Sequence, residues 1–507
     1  MITRYLQLIT ALFVLFLTSC STSRQLSAPI ADNPKREFRG AWIQTAFQGE
    51  YKDMTPAEMK RNFIKKLDFL QACGINAIVF QVRPEADAFY KSNLEPWSRF
   101  LTGTQGVAPA GNFDPMAFLI QECHKRNMEF HAWLNPYRAS TSGNTRLADS
   151  HIYHRRPDLF VTYNKQLLFD PGIPENREYI CRVVRDIVTR YDVDAIHMDD
   201  YFYPYPAPGE AFPDDYSFNK YGKPQGYTEA QRASWRRQNV NLLISELKRT
   251  ILLSKPWVRF GISPFGIYRN KKNTPDGSGS NTNGLQNYDD LYADILRWVK
   301  EGWIDYNIPQ IYWEMGHPAA DYTTLIKWWD KNANGGHLYI GQDVARTMKA
   351  NQLTAKMHYE RTLPNIMGNC FWPANELLWN NAGVADSLRK NYHRYPALIP
   401  AYTHLHDQAP KEVKKLKAEW TEQGYILHWQ AEQSNTNPEL ASYFVIYRFG
   451  KHERKDLNNP AHIVGTTRNT FYLLPYNNGN EKYTYVVTAV DRFHNESKKG
   501  KAKKVKL

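Results

Sequence analysis

Two acidic residues stand where short apolar runs give way to loops. In residues 194–199, Ile196 and Met198 alternate with Ala195, His197 and Asp199. In a strand this puts the apolar pair on one face and Asp199 at the carboxyl end of the other. Asp200 follows at once and opens the aromatic loop Tyr201-Phe202-Tyr203-Pro204-Tyr205-Pro206. A carboxylate facing a barrel interior is expensive to bury without a reaction or a partner to justify it. The same alternation in residues 306–313 sets Ile311 and Trp313 against Gln310 and Tyr312, and carries Glu314 to the rim. Two carboxyl groups from different strand ends, one ionised and one kept protonated, are what glycoside hydrolysis uses. The expectation is Asp199 as the ionised carboxyl and Glu314 as the protonated one. The alternative for Asp199 is a structural carboxylate capping a loop or paired with an arginine.

The neighbouring runs supply groups suited to a sugar. On residues 76–83, Ile78, Phe80 and Val82 form the outward set, so Gln81, Arg83 and Glu85 point inward. Arg83 either bridges Asp199, which would hold it ionised, or makes an ordinary ion pair. Glu85, Asp87 and Asp343 are substitute acids. Trp42, His131, Trp133, Asn135, Tyr137, His197, Asp200, Tyr201, Tyr312 and Trp313 make up the rest of the expected substrate wall, in which rings stack on pyranose C–H faces. His131 and His197 could instead ligate a metal, but catalytic metal sites usually draw three protein ligands and the sequence offers no His-x-His or His-x-x-x-His motif. The expectation is no metal and no cofactor. No Gly-x-Ser-x-Gly elbow or phosphate-binding glycine loop is present to support esterase or kinase chemistry.

Such residues need a scaffold that brings many strand ends to one face. Eight strand-like runs, at 38–44, 76–83, 129–135, 194–199, 258–263, 306–313, 337–342 and 366–372, alternate with amphipathic stretches. That is the pattern of a (β/α)8 TIM barrel over residues 36–396. A doubly wound open sheet is the rival, but the glycine-rich dinucleotide turn after the first strand is missing. Long insertions at 90–112, 138–174 and 202–227 all follow strands and so belong to the active-site face. A fourth, 270–284, is rich in Gly, Asn and Ser and reads as mobile. From 410 to 497 the pattern turns all-β and resembles a small fibronectin type III-like sandwich. The Lys-rich segment 498–507 reads as a solvated basic tail. The sandwich follows a complete barrel, so a chain ending near Pro396 is expected to keep its turnover.

Composition bounds the setting. The 507 residues are 42% hydrophobic and 14% aromatic, enough for a large core, and the net charge of +13 suits an anionic neighbour. Arg4 precedes an apolar run, 6–17, too short to span a bilayer comfortably. It ends in Leu17-Thr18-Ser19-Cys20, a bacterial lipobox pattern in which Cys20 is acylated. Residues 1–20 are therefore a lipoprotein signal and 21–35 a polar tether. Ser21 follows Cys20, without the Asp that would mark inner-membrane retention, so the expected location is the outer membrane facing the periplasm. Export disfavours nucleic acid as a partner. Cys73, Cys123, Cys181 and Cys370 read as small buried hydrophobes.

Taken together, Phe38-Arg39-Gly40-Ala41-Trp42, Gln81-Val82-Arg83-Pro84, Glu95-Pro96-Trp97-Ser98, His131-Ala132-Trp133-Leu134-Asn135-Pro136-Tyr137, Phe169-Asp170-Pro171-Gly172, Ile196-His197-Met198-Asp199-Asp200-Tyr201-Phe202-Tyr203-Pro204, Gly261-Ile262-Ser263-Pro264-Phe265-Gly266 and Gln310-Ile311-Tyr312-Trp313 resemble the glycosyl hydrolase-like family ten of bacterial lipoproteins. The resemblance covers residues 36–343. It implies a barrel related to retaining glycosidases, action on peptidoglycan glycan strands stripped of peptides, and a nucleophile at Asp199. Glu314 matches by position alone. A glycosidase for dietary or host polysaccharide and a non-catalytic glycan-binding lipoprotein remain the competing readings.

The lipobox reading has a direct consequence: Cys20→Ala is expected to move the protein from the membrane fraction to the soluble fraction. Unchanged membrane partitioning of that variant would refute acylation at Cys20.

Overall fold

The computed structural model describes residues 33–507, so the signal, Cys20 and most of the expected tether lie outside the described residues. Eight parallel strands close into a barrel: β1 (Phe38–Ile43), β2 (Ala77–Arg83), β3 (Glu129–Leu134), β4 (Ala195–Met198), β5 (Arg259–Ile262), β6 (Tyr306–Asn307), β7 (His337–Asp343) and β8 (Ile366–Trp372). Each pairs with its sequence neighbour and β1 pairs with β8. Alternation holds where the strands are longest. Ile78, Phe80, Val82, Ile196 and Met198 pack outward under the helices, while Ala77, Val79, Trp133 and Ala195 belong to a separate interior cluster. The helices are stopped and started locally. Pro56–Ala72, for example, opens on a Thr55–Glu58 capping box with Pro56 in its first turn.

The sixth strand departs from expectation. Its ladder is only two residues long, and the backbone continues as isolated bridges from Gln310 to Phe265 and Gly341. Pro309 has no N–H to extend a ladder. The parity that carries Tyr312 inward therefore does not extend to Glu314. The segment 270–284 is also ordered rather than loose: Asn270 is buried, pairs with Ser280, and its side chain donates to the Gly284 carbonyl at 2.8 Å.

A polar chain runs up the barrel axis. Gly261 is the only residue type that fits under it, since a Cβ there would lie 2.0 Å from the Tyr306 ring. With that space open, the Tyr306 hydroxyl reaches His131 Nδ1 at 2.8 Å and His197 Nδ1 at 3.2 Å. The Trp42 indole is a donor only, and it donates to His197 Nε2 at 3.3 Å. His197, whose pKa is lowered by burial and then by His131, is therefore neutral with its proton on Nδ1, directed at Tyr306. Tyr306 in turn donates to His131, whose Nε2–H reaches Glu129 at 2.9 Å. Burial would push the Glu129 carboxyl up, but Arg259 and His494 outweigh it and hold the group well below the usual range.

His494 belongs to the C-terminal sandwich. One of its sheets holds Lys414–Thr421, Gly424–Gln430 and Phe471–Leu473; the other holds Ile463–Thr467, Tyr443–Phe449, Lys482–Val490 and Lys503–Lys506. The basic tail is thus an edge strand: Val505 and Leu507 are buried in the sandwich core while Lys504 and Lys506, which alternate with them, face out. Lys35, from the expected tether, is tied to Glu496 at 2.6 Å. His494 Nε2 lies 2.6 Å from Glu129 at the barrel floor, and Arg492 forms a two-pronged ion pair with Asp192 at 2.9 and 3.0 Å. A chain ending near Pro396, expected from sequence to keep its turnover, would lack His494 and leave Glu129 and Arg259 uncovered. Cys73, Cys123, Cys181 and Cys370 are free and buried.

We expect His494→Ala to lower stability by about 1–3 kcal/mol, the cost of leaving part of a buried carboxylate unpaired. In urea unfolding, barrel and sandwich should melt together. A midpoint unchanged from wild type would show that the floor contact contributes nothing.

Candidate active site

The strand ends of β1, β2, β3, β4 and β8 surround a cavity of about 230 Å³ lined by Trp42, Gln44, Gln81, Trp133, Arg138, Asp199, Asp200, Tyr201, Ser263, Gln310, Tyr312 and Trp372, among others. A second cavity of about 170 Å³ shares Phe47, Arg138 and Tyr201 with it and extends under the loops after β3 and β4, toward Tyr137, Phe169 and Phe212. The two make one elongated cleft at the carboxyl-end face, where barrel chemistry resides. A larger cavity of about 370 Å³ lies at the opposite end, in the seam between barrel floor and sandwich.

Among the described residues, Asp199 and Asp200 are the only carboxylates lining the first cavity. Consecutive residues in a strand point to opposite faces, but β4 ends at Met198. Released from the ladder, both side chains turn to the same opening. Trp133 Nε1 donates to Asp199 Oδ2 at 3.1 Å, and Asn135 Nδ2 donates to Oδ1 at 3.2 Å. Asn135 is itself fixed, because its carbonyl oxygen accepts the Arg138 backbone N–H at 2.9 Å. Burial raises the Asp199 pKa; the Arg138 charge and the donors from Trp133, Tyr201 and Asn135 offset only part of that rise. Asp200 is pushed up to about 7, by burial first and then by the negative charge of Asp199. Tyr205 donates its hydroxyl proton to Asp200. The pair thus offers one carboxyl that keeps its proton near neutrality beside one fixed by neutral donors.

The remaining residues divide by what they touch. Trp42, Trp133, Asp200, Tyr201 and Tyr312 line the cavity, and Tyr137 lines its extension. His131 and His197 lie below, in the axial chain; both meet Tyr306, and among the described residues no group of three His, Cys, Asp or Glu is placed to hold a metal ion. Arg83 does not reach Asp199: its guanidinium is buried against Glu95 at 2.6 Å, and the cation near Asp199 is Arg138. Glu85 is held by Arg99 at 3.0 Å and by the Thr141 N–H at 2.6 Å. Asp87 is fully buried with its pKa raised to about 7, by burial and then by Glu85, but lies outside the cavity. Asp343 caps the helix Val344–Lys349 through the Arg346 N–H. Trp313 packs against Phe265 and under Gly266 rather than facing the opening. Glu314 does not line the cavity either; Lys356 feels its charge from below the rim.

Sequence reasoning missed Trp372, Gln44 and Phe47. Trp372 ends β8 and stands edge-on to both Trp42 (6.4 Å) and Trp133 (6.1 Å). The strand-end rule that found Asp199 would have found it too. Phe47 is 72% exposed at a φ of 61°, in the left-handed region that bulky residues rarely enter. Gln81 holds it there, because its Oε1 accepts both the Thr45 and Ala46 N–H groups at 3.0 and 2.9 Å. The Phe47 ring lines both cavities.

A family model described as glycosyl hydrolase-like 10 matches residues 37–358. The chain is 39% identical over 498 residues to Glycosyl hydrolase YngK of Bacillus subtilis (strain 168), covering 94% of this chain and 95% of that one. It is 37% identical over 343 residues to Glycosyl hydrolase DigH of Escherichia coli (strain K12), covering 63% of this chain and 74% of that one. Among solved structures, the glycoside hydrolase domain of PgaB (BpsB) from Bordetella bronchiseptica is 10% identical with a TM-score of 0.46, covering 70% of this chain and 98% of that one.

The pair's titration sets a pH dependence. Asp200 must be protonated to donate, so kcat/KM should fall as pH rises past about 7. Arg138→Gln removes the cation beside Asp199 and should move the acidic limb to higher pH. Stability follows the opposite logic. In the window from the ordinary Asp value up to about 7, folded Asp200 keeps a proton that the unfolded chain has released, so stability falls as pH rises. Asp200→Asn should therefore melt higher than wild type at pH 8 while losing about 100-fold or more in turnover. A variant no more stable at pH 8 than wild type would contradict the raised pKa.

Proposed function

The chain belongs to the glycosyl hydrolase-like 10 family and is a glycosidase; on that premise, we propose that it cleaves glycan strands of peptidoglycan from which the peptides have been removed. The observation that carries this reading is the Asp199–Asp200 pair in an aromatic-lined cavity that continues into a second one through Phe47, Arg138 and Tyr201. Asp200 is the proton donor to the leaving oxygen and then the base that activates water; Asp199 is its charged partner. Glu314 gives up the acid's role because it does not face the cavity. Phe47 and Tyr201 supply faces for pyranose rings, and a glycan without peptides fits a cleft whose side walls carry few charged groups. Acylation at Cys20 would hold the enzyme at the envelope, at the outer membrane facing the periplasm, beside that polymer.

The test uses the full-length protein on sacculi-derived strands before and after an amidase has removed the peptides, with products separated by chromatography and mass spectrometry. Short saccharides should appear from the stripped strands, and Asp200→Asn should abolish them. Cleavage only of plant or host polysaccharides would replace peptidoglycan as the substrate. Binding of stripped strands without products would favour a glycan-binding protein.

A further inference from the structure

Double-displacement and inverting glycosidases place their two carboxyl groups on either side of the scissile bond, about 5–5.5 Å or 6.5–9.5 Å apart. Here both carboxyl groups issue from consecutive residues of one wall. The facing wall, from β8, β1 and β2, presents Trp372, Trp42, Gln44 and Gln81 and no carboxylate. The side of the sugar ring opposite the proton donor therefore lacks a protein nucleophile and a base for water.

The same cavity holds a second clue. Trp42, Trp133 and Trp372 meet at its base, with Trp372 edge-on to the other two at interplanar angles of 73°. The box they form opens beside Asp199, whose oxygens are held by Trp133 and Asn135. A carboxylate offers about four acceptor positions, and Trp133, Asn135 and the Tyr201 backbone N–H leave room on Asp199 for one more donor. A small apolar group joined to an N–H donor matches that arrangement: the apolar end among the indoles and the N–H on Asp199. A sugar hydroxyl in the same box would be stranded among indole faces.

We propose that the substrate is a β-linked 2-acetamido sugar whose own acetamido oxygen is the nucleophile, with Asp199 a catalytic residue that accepts the acetamido N–H. This rests on the glycan-hydrolase reading above and specifies the sugar at the cleaved bond. In the first step the acetamido oxygen forms a bond to C1, the C1–O bond to the leaving sugar breaks, and Asp200 gives its proton to that oxygen. Asp199 takes up the positive charge that develops on the acetamido nitrogen. In the second step Asp200 removes a proton from water, the water oxygen bonds C1, the ring oxygen–C1 bond of the oxazoline breaks, and the acetamido group is restored. The anomeric configuration is retained. Trp42, Trp133 and Trp372 position the methyl group so that the carbonyl oxygen lies under C1.

The experiment compares aryl β-chitobiosides in which the acyl group of the reacting sugar carries zero, one, two or three fluorines, each of which makes the carbonyl oxygen a poorer nucleophile. With the wild-type protein, kcat/KM should fall steadily, by about 100-fold or more from acetyl to trifluoroacetyl. The 1,2-fused thiazoline of N-acetylglucosamine, a stable mimic of the cyclic intermediate, should inhibit competitively, and Trp372→Ala should weaken it more than it weakens binding of a 2-hydroxy analogue. Rates that stay flat across the series, or a 2-fluoro glycoside that labels Asp199 covalently, overturn this assignment and leave the hydrolase reading standing. Failure to cleave any N-acetylated glycan overturns the hydrolase reading, and the assignment with it.

Discussion

Glu129 is an ionised carboxylate at the floor of a barrel, sealed from water, and much of the molecule is arranged to tolerate it. Arg259 enters from β5, His494 from the sandwich and His131 from within the same strand. An isolated charge at that depth is untenable, while a fully ligated one fixes every group that ligates it. From Glu129 upward, each hydrogen bond dictates the next until the Trp42 indole, in the wall of the cleft, is fixed in turn. Downward, the same charge requires the C-terminal sandwich to close the floor. The two modules are therefore parts of one electrostatic arrangement.

The top of the barrel treats charge differently. Asp199 is held by neutral donors and a partly distant arginine, and Asp200 by a phenol and an amide. Their pKa values rise, whereas that of Glu129 falls. A buried carboxyl compensated by ion pairs is inert; one compensated only by dipoles can gain and lose a proton near neutrality. The contrast separates an ion-paired floor from a dipole-held carboxyl pair within a single set of barrel strands, and the dipole-held pair is the part that works against stability.

Much of the fold was readable in the chain because barrel strands impose a period of two. Ile78, Phe80 and Val82 against Gln81, and Ile196 and Met198 against His197, could be assigned to faces without knowing their partners. Asp199 was placed on the interior face for the same reason; Asp200, of opposite parity, reaches the cavity only because β4 ends at Met198. Glu314 was not legible, because Pro309 and a two-residue ladder end the period before it. Arg83 stayed open between Asp199 and an ordinary ion pair because Glu95, the partner it takes, is supplied by an insertion whose path has no periodicity. The terminal lysines concealed a strand: Val505 and Leu507 alternate with them, but charge dominated the reading. Phe47 gave no signal, since the left-handed backbone it adopts is usually marked by glycine.

The contact between His494 and Glu129 joins residues 365 positions apart. A ribosome adding about 5–20 residues per second needs roughly 20–70 s to travel that distance. Throughout that interval the barrel strands exist without the group that covers their floor, and a carboxylate and a guanidinium stand at an open end. Newly made chain should therefore remain sensitive to proteases and holding factors until its last strands are complete. Closure of the barrel floor therefore waits for the last strands of the chain.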